Sequence, residues 1–260
     1  MRVIAFCNNK GGVTKTTTTI NLAYGLARAS RRVLVIDMDA QCNASYTLSS
    51  HIEHQSSLFD VLMNGVKLVD VIQPTKEPRL HLAPSSIDLS SADVRMAALP
   101  GREQKLKRAM RGLDGYDYVL VDTPPHLGVL TLNAFVACTD VIIPLALTTY
   151  TLIGIAILEN TMQELRDNLD IALPILGMVA NLDDHTRQSG EVLASIRQNF
   201  GALVFDSVIP RNIKVEEAHN QTMCLFDYAP TSTGAKAYLG LVQEVIARVE
   251  GVIQDGARPT

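Results

Sequence analysis

Short, continuous apolar runs recur along the chain, and stretches with apolar residues at helical spacing separate several of them. Uninterrupted apolar runs are typical of strands that are buried on both faces of a parallel sheet. We expect such strands at residues 3–7, 33–36, 118–121, 141–144, 175–180 and 204–209. Helical spacing of apolar residues predicts helices at 16–29, 152–169, 191–200 and 233–253. Their alternation predicts an α/β fold with a doubly wound, mostly parallel sheet and helices on both faces.

The stretch from residue 45 to residue 115 is the least regular, with scattered Ser, Pro and charged residues. We expect short helices there and one strand, at 80–83. A chain of 260 residues, 47% of them hydrophobic, can bury one sizeable core. Residues 254–260 are polar and contain Gly and Pro, which is typical of a frayed end. We therefore predict a single domain over residues 1–253 and a polar tail over 254–260.

Composition narrows the functional classes. A net charge of −4 shows that the protein is not a bulk polycation, so any nucleic-acid binding must use a local basic patch. The cysteines are widely separated, which argues against a disulfide framework or a zinc site and fits a reducing cytosol. No apolar stretch approaches the roughly 20 residues of a membrane span, and the first apolar run is too short for a secretory signal. We expect a cytoplasmic protein without membrane contact.

The segment between the first predicted strand and the first long helix reads NNKGGVTKTT over residues 8–17. Such a turn directs backbone N–H groups and the positive end of the helix dipole at one point, which suits a polyphosphate. Gly11 and Gly12 allow the main chain to approach a ligand. Lys15 can reach the β and γ phosphates, and the Thr16 hydroxyl can ligate Mg²⁺. The predicted phosphate contacts are Lys10, Gly11, Gly12, Val13, Thr14, Lys15, Thr16 and Thr17.

Aspartates directly follow two of the predicted strands. Asp37 and Asp122 should lie at the carboxyl edge of the sheet, where ligands of such folds bind. A carboxylate there can hold Mg²⁺ directly or through water, so we predict a metal site of Thr16, Asp37 and Asp122. The alternative is that each aspartate caps the helix that follows it. Asp39 lies two residues after Asp37, so on extended backbone its side chain points the same way and can approach the same site.

Four motifs in order resemble the ParA/MinD family of ATPases, and they span most of the chain. The phosphate loop departs from GxxxxGK[ST] but resembles the deviant KGGxGK[ST] loop, with Lys10 as the extra lysine. Residues 33–43, VLVIDMDAQCN, are similar to the DxDPQGN motif, and residues 118–125, YVLVDTPP, are similar to its Walker B segment. Residues 209–212, IPRN, resemble the segment near the nucleotide base.

This resemblance implies a P-loop NTPase fold and an ATP-driven, Mg²⁺-dependent switch that dimerises. It gives Lys10 a role in trans, at the partner's nucleotide, much as an arginine finger acts. It assigns Asp39 to orienting or activating the attacking water, which makes Lys10, Lys15 and Asp39 the catalytic set. For adenine it implies Asn181 on one edge of the ring. Pro210, Arg211 and Asn212 would line the ring.

The resemblance further implies a homodimer with ATP, sequence-independent binding to DNA, a ParB-like activator of slow hydrolysis and a nucleoid-associated location. Arg187 and Lys214 lie in stretches where resembling chromosomal ParA proteins carry basic residues that contact DNA. The alternative is that both are solvated surface charges. No segment precedes the first predicted strand, so we do not expect an N-terminal helix-turn-helix that would recognise an operator.

Three residues depart from the family motifs. Thr14 stands where the family has Gly, and if that position needs φ > 0, threonine adds about 1–2 kcal/mol of strain and lowers nucleotide affinity about tenfold. Ala40 and Cys42 replace a Pro and a Gly, which affects the mobility of that segment.

Three other classes share this kind of loop. A MinD-like membrane ATPase needs a basic amphipathic C-terminal helix, whereas residues 245–253 carry one arginine, one glutamate and no aromatic anchor. An iron–sulfur reductase needs cysteine ligands at a dimer face, and Cys138 follows an apolar helical stretch that suggests burial. A biosynthetic ligase or amidotransferase needs a substrate pocket that no sequence feature specifies.

Overall fold

An eight-stranded sheet forms the centre of the computed structural model, which describes residues 1–49 and 56–251. The predicted tail at 254–260 lies outside the described residues. The strands are β1 (Arg2–Phe6), β2 (Val33–Asp37), β3 (Gln73–Pro74), β4 (Leu80–Ala83), β5 (Tyr118–Asp122), β6 (Asp140–Ala146), β7 (Ile175–Asp183) and β8 (Val204–Pro210). Their order across the sheet is β3-β4-β2-β5-β1-β6-β7-β8.

The described helices connect these strands. They are α1 (Lys15–Arg28), α2 (Asn43–Leu48), α3 (Leu58–Met63), α4 (Leu68–Val71), α5 (Ala92–Met96), α6 (Lys105–Ala109), α7 (Val129–Ala137), α8 (Thr151–Leu169), α9 (Arg187–Phe200), α10 (Ile213–Asn220), α11 (Leu225–Tyr228) and α12 (Thr233–Glu250). Short 3-10 helices cover Ile87–Ser91, Arg102–Gln104 and Gly201–Leu203.

All neighbouring strands pair in parallel except β3 and β4, which are antiparallel. Helices cover both faces, and the side chains of β1 alternate between two cores. Val3 and Ala5 pack with α3 to α9, whereas Ile4 and Phe6 pack with α1, α2 and α10 to α12. Burial on both faces explains why the strands read as continuous apolar runs. The predicted α/β, doubly wound, mostly parallel fold is confirmed.

The boundaries differ from prediction in a few places. The irregular stretch contains β3 as well as β4. A two-residue strand has no readable alternation, and its proline is tolerated because the strand is at the edge. Helix α9 begins at Arg187 rather than 191, because the Thr186 side chain accepts a hydrogen bond from Ser189 N and caps the helix earlier. Helix α12 ends at Glu250, followed by Gly251 in a left-handed conformation with φ 74°.

The topology gathers the functional motifs at one edge. Parallel pairing sets Phe6 opposite Asp122 and Asp37 opposite Asp122, so the ends of β1, β2 and β5 are adjacent. The loops after these strands therefore meet above the central sheet. Across residues 1–49 and 56–251, no helix is both long and apolar enough to cross a membrane.

Candidate functional site

A cavity of about 550 Å³ lies at this edge of the sheet. Its walls come from the loop between β1 and α1, the segment after β2, the loop after β5, the end of β8, and helices α10 and α12. The lining residues are Gly11, Gly12, Val13, Thr14, Lys15, Thr16, Thr17, Asp39, Gln41, Asn43, Pro125, Leu182, Ile209, Pro210, Asn212, Val215, Glu216, His219, Asn220 and Tyr238. The volume suits a nucleotide-sized ligand.

The loop between β1 and α1 forms one wall of this cavity. Two of its residues adopt left-handed backbone conformations, Gly12 with φ 74° and Thr14 with φ 64° and ψ 34°. This region of backbone conformation is unfavourable for β-branched residues. A threonine at position 14, where the family has glycine, therefore adds strain to the loop. The loop leads directly into α1, whose first backbone N–H groups face the cavity end and have no intrahelical partner.

Lys15 is the charged residue at the base of the loop. It is only 7% exposed, and its Nζ donates a hydrogen bond to the carbonyl oxygen of Asn8 at 3.1 Å. Burial lowers its pKa, and the nearby Asp122 carboxyl acts in the opposite direction. An ammonium group with this much desolvation and one neutral partner is available for an anionic ligand.

Asp122 lies fully buried behind the loop. Its Oδ1 accepts a hydrogen bond from Thr19 Oγ1 at 3.3 Å, whereas Oδ2 is buried and has no hydrogen-bond partner among the described residues. Burial, with the charge of Asp37, raises the pKa of Asp122 to about 8, while Thr16 and Lys15 act in the opposite direction. The unpartnered Oδ2 of Asp122 and the hydroxyl of Thr16, which acts on the same carboxyl group, are a fitting pair of ligands for Mg²⁺.

Asp37 is equally buried but has a different set of contacts. Its Oδ2 accepts hydrogen bonds from Ser45 N at 2.8 Å and Ser45 Oγ at 2.7 Å, and its Oδ1 accepts one from Asp39 N at 3.1 Å. Asp37 therefore caps the first turn of α2, which is the alternative considered for it from sequence. Burial still raises its pKa to about 6. Neither Asp37 nor Asp122 lines the cavity.

Asp39 does line the cavity and is half-buried. Its Oδ1 accepts a hydrogen bond from Gln41 N at 3.0 Å, and its carbonyl oxygen accepts one from Ser85 Oγ at 2.6 Å. These contacts fix the backbone and leave Oδ2 without a hydrogen bond to the described part of the chain. Asp39 thus combines an anchored main chain with a carboxylate oxygen that a water molecule in the cavity can reach.

Lys10 is exposed and does not line the cavity. Its Nζ donates a hydrogen bond to Thr148 Oγ1 at 3.1 Å, and its backbone N–H donates to Asn8 Oδ1 at 2.9 Å. The two lysines of the loop therefore diverge. Lys15 lies inside the cavity, and Lys10 lies on the surface outside it.

The base-binding residues expected from sequence are placed unequally. Pro210 and Asn212 line the cavity, but Arg211 is exposed and outside it. Asn181 is fully buried beneath the loop, where its Nδ2 donates to Thr14 Oγ1 at 2.6 Å and Thr18 Oγ1 at 3.1 Å. In this arrangement the Asn181 amide nitrogen supports the left-handed Thr14, whereas its Oδ1 is buried without a hydrogen-bond partner among the described residues.

Several cavity residues were not predicted. Leu182 and Val215 form part of the apolar wall of the cavity. Tyr238 of α12 also lines the cavity, although only 1% of its surface is exposed. His219 lies beyond the IPRN segment at 209–212, which was the nearest motif in the sequence. Tyr238 carried no sequence signal, since its position in the apolar pattern of α12 is that of an ordinary core residue.

The two candidate DNA contacts lie on the surface and are ion-paired. The Arg187 side chain is 94% exposed and its Nε lies 2.8 Å from Glu191 Oε1, one turn along α9. Lys214 is 48% exposed and its Nζ lies 2.7 Å from Glu217 Oε2 on α10. Exposed pairs of this kind are worth about 0–1 kcal/mol and are screened by salt, so either cation can exchange its partner for a phosphate.

Cys138, expected to be buried, is only partly so. It follows the last residue of α7, and its thiol donates to the carbonyl oxygen of Phe135 at 3.3 Å. The helix ends before Cys138, so the residue leaves the apolar face that the sequence pattern indicated. Its surroundings still raise the pKa of the thiol to about 12, chiefly by burial.

Known proteins are similar to this chain in sequence over most of its length. A family model described as an AAA domain matches residues 1–175. The chain is 41% identical over 251 residues to the chromosome-partitioning ATPase Soj of Thermus thermophilus, covering 96% of this chain and 97% of that protein. It is 38% identical over 253 residues to the chromosome partitioning protein ParA of Caulobacter vibrioides, covering 95% of each.

Solved structures extend the likeness to three dimensions. Cobyrinic acid a,c-diamide synthase from Mycobacterium smegmatis, with bound ADP and magnesium, superposes with a TM-score of 0.84 at 32% identity. The match covers 97% of this chain and 96% of that chain.

Proposed function

This chain belongs to the ParA/Soj-type partitioning ATPases, and on that basis we propose that it is an ATP-dependent dimerising switch that binds DNA without sequence preference. A ParB-like partner stimulates its otherwise slow hydrolysis of ATP. The switch segregates a chromosome or plasmid, or positions another cargo, on the nucleoid in the cytoplasm. Residues 1–253 act as one ATPase domain in this proposal.

The divergence of the two loop lysines is the observation that carries the proposal. Lys15 is buried in the cavity and can neutralise the phosphates of the chain's own nucleotide. Lys10 lies at the surface outside that cavity, where a nucleotide held by a second molecule can reach it. A charge delivered by a partner subunit stabilises the transition state of phosphoryl transfer in the manner of an arginine finger.

The surface beside Lys10 supports a protein partner there. Tyr150 and Lys10 line the same small pocket, and Tyr150 is 73% exposed. Ile153 and Ile157, one turn apart on α8, are 59% and 51% exposed. Exposed apolar side chains clustered next to a functional cation are typical of an interface, and a face-to-face dimer would cover them.

ATP and Mg²⁺ are the cofactors in this proposal. The structure that superposes at 32% identity contains ADP and magnesium. Thr16 and Asp122 are the residues that would hold the ion, since Asp122 Oδ2 is a buried oxygen without a hydrogen-bond partner among the described residues. The ion supplies charge neutralisation to the phosphates. The chain's own contribution is to orient them with the loop N–H groups and Lys15, and to place the attacking water at Asp39.

Light scattering with Mg-ATP tests the switch. The wild type should dimerise, and Asp39→Ala should accumulate as dimer because water positioning matters only in the transition state. Lys10→Ala should bind fluorescent ATP yet stay monomeric, and Lys15→Ala should lose binding. Lys107→Ala on α6 is the matched control, since it removes an exposed lysine far from the loop and should dimerise normally. A Lys10→Ala protein that dimerises like the wild type would contradict the in-trans role.

DNA binding rests on Arg187 and Lys214, which are exposed and held only by screened ion pairs. A dimer presents each of them twice, which raises affinity through linked contacts. Gel shifts on random duplex should therefore require ATP and weaken steeply with salt. The double variant with Glu at both positions should bind more weakly while still dimerising. Equal weakening by Glu at Lys107 and Arg108 on α6 would locate the DNA contacts elsewhere.

A biosynthetic amide-forming enzyme is the second candidate, favoured by the likeness to cobyrinic acid a,c-diamide synthase. Such an enzyme would turn over ATP repeatedly in the presence of a small carboxylic acid and ammonia or glutamine, without DNA or protein activator. A switch would accelerate only when the activating protein is added. Assaying ATP turnover with the product of the neighbouring gene separates the two.

A further inference from the structure

His219 occupies a wall of the cavity that no motif assigned. It lies near the end of α10, four residues after Val215, so the two side chains share one face of that helix. Both line the cavity, and the apolar wall to which Val215 belongs, with Leu182 and Ile209, suits a nucleoside better than phosphates. His219 is therefore placed near the nucleoside portion of any nucleotide whose phosphates lie at Lys15.

The ring is held from outside the cavity by α2. His219 Nε2 lies 3.1 Å from Thr47 Oγ1, and the Thr47 hydroxyl donates its hydrogen to the carbonyl oxygen of Asn43 at 2.9 Å. A hydroxyl has one hydrogen, and when Thr47 donates it to Asn43, Thr47 Oγ1 accepts from the ring and Nε2 carries the proton. Burial lowers the pKa of His219, which keeps the ring neutral at physiological pH.

A neutral ring with its proton on Nε2 has an unprotonated Nδ1, and Nδ1 is a hydrogen-bond acceptor. Nδ1 makes no hydrogen bond to any residue within 1–49 and 56–251. The structure thus presents, in the cavity wall, a ring that is hydrogen-bonded from behind at Nε2 and whose Nδ1, in that tautomer, is an acceptor.

We propose that His219 is a nucleoside-recognition residue, which accepts a hydrogen bond at Nδ1 from a donor on the nucleoside while Thr47 fixes its orientation. The inference rests on the proposed function, since it requires a nucleotide in the cavity. Two groups of ATP can supply the donor, the 6-amino group of adenine and a ribose hydroxyl. Recognition through the amino group would also select adenine over a purine with a carbonyl at that position.

The experiment measures dissociation constants of ATP, inosine triphosphate, 2′-deoxy-ATP and 3′-deoxy-ATP by displacement of a fluorescent nucleotide. His219→Phe keeps an aromatic ring and removes the acceptor. It should weaken ATP about three- to tenfold, the loss of one hydrogen bond, and should leave unchanged the affinity for the analogue that lacks the donor. That analogue identifies the donor: inosine triphosphate for the amino group, a deoxy-ATP for a hydroxyl.

Thr47→Val is the second variant, because it keeps the side-chain shape but frees the ring tautomer. It should weaken the binding of the same nucleotides as His219→Phe does, by a smaller factor in the dissociation constant. The matched control is His81→Phe on β4. His81 does not line the cavity, and its Nδ1 lies 2.6 Å from the Tyr116 hydroxyl oxygen. Its replacement should leave the dissociation constants of all four nucleotides unchanged. Equal losses for all four nucleotides, or no loss for ATP, would overturn the role of His219. Absence of Mg-ATP binding in the wild type would instead refute the proposed function.

Discussion

Asp37 and Asp122 end neighbouring strands, face each other in register and are both fully buried, yet their surroundings differ. The region after β2 leads through residues 38–42 into α2, and Ser45 of that helix supplies an N–H and a hydroxyl to Asp37. The region after β5 instead continues into an irregular segment at 123–125, and Asp122 keeps one oxygen without a hydrogen-bond partner in the described part of the chain. Similar positions in the sheet therefore give one capping carboxylate and one available carboxylate.

The electrostatic consequences follow from those contacts. Burial raises the pKa of both carboxyl groups, and the donors from Ser45 and Asp39 oppose that rise at Asp37. A buried carboxylate with few donors favours its neutral form until a cation binds. Of the two carboxylates, Asp122 is therefore the better candidate for a metal ligand, and Asp37 is the one that stabilises the fold.

Replacing Asp122 gives the largest expected effect. Asp122→Asn keeps the volume but removes the anionic oxygen, so Mg²⁺-dependent ATP hydrolysis should fall about 100-fold, since metal charge stabilisation is worth several kcal/mol. Phosphate release measured against Mg²⁺ concentration checks this. Asp37→Asn, assayed at a temperature where it is folded, should lose much less. Equal losses would place both carboxylates on the metal, as the sequence alone suggested.

Replacing Asp37 should act on stability. In Asp37→Asn an amide N–H₂ would face donors of Ser45 or Asp39, leaving at least one buried donor unsatisfied. We expect a loss of about 2–3 kcal/mol and a Tm lower by roughly 5–10 °C. Calorimetry of nucleotide-free protein measures it. Asp122→Asn is the comparison variant and should show no such loss, so a matching decrease in both would remove the distinction.

The pH dependence of stability should distinguish the same residues without nucleotide. The folded-state pKa of Asp122 is about 8, above its ordinary value of 3.8, so its contribution is fully present below about pH 4 and is lost as pH rises through 8. Asp122→Asn removes that loss. The Tm of the variant minus that of the wild type should therefore grow by several degrees between pH 4 and 8. A difference that is constant with pH would mean that Asp122 ionises freely.

The smallest effect concerns the loop opposite these carboxylates. Thr14 has φ 64° in the folded chain, so Thr14→Gly should relieve about 1–2 kcal/mol of strain and raise the Tm by about 2–6 °C. The hydrogen bond from Asn181 to Thr14 Oγ1 is lost, which makes that gain an upper limit, although Asn181 keeps Thr18 as a partner. Calorimetry measures the change. A lower Tm of the glycine variant would show that the Asn181 contact outweighs the strain.

The sequence by itself determined the strand and helix alternation, the phosphate loop and the placement of two aspartates at strand ends. Each of these depends on residues that are close in the chain, where periodicity and motif spacing report directly on local backbone and burial. The resemblance carried by these motifs also sufficed to indicate the family.

Only the tertiary structure decided which side chains share the cavity. Asn181 supports Thr14 from beneath, and His219 and Tyr238 enter the wall from helices near the end of the chain. Whether Asp37 or Asp122 has free oxygens depends on Ser45 and on the loop after β5. The physical reason is that hydrogen-bond satisfaction is settled by long-range neighbours, which a linear pattern of polar and apolar residues does not record.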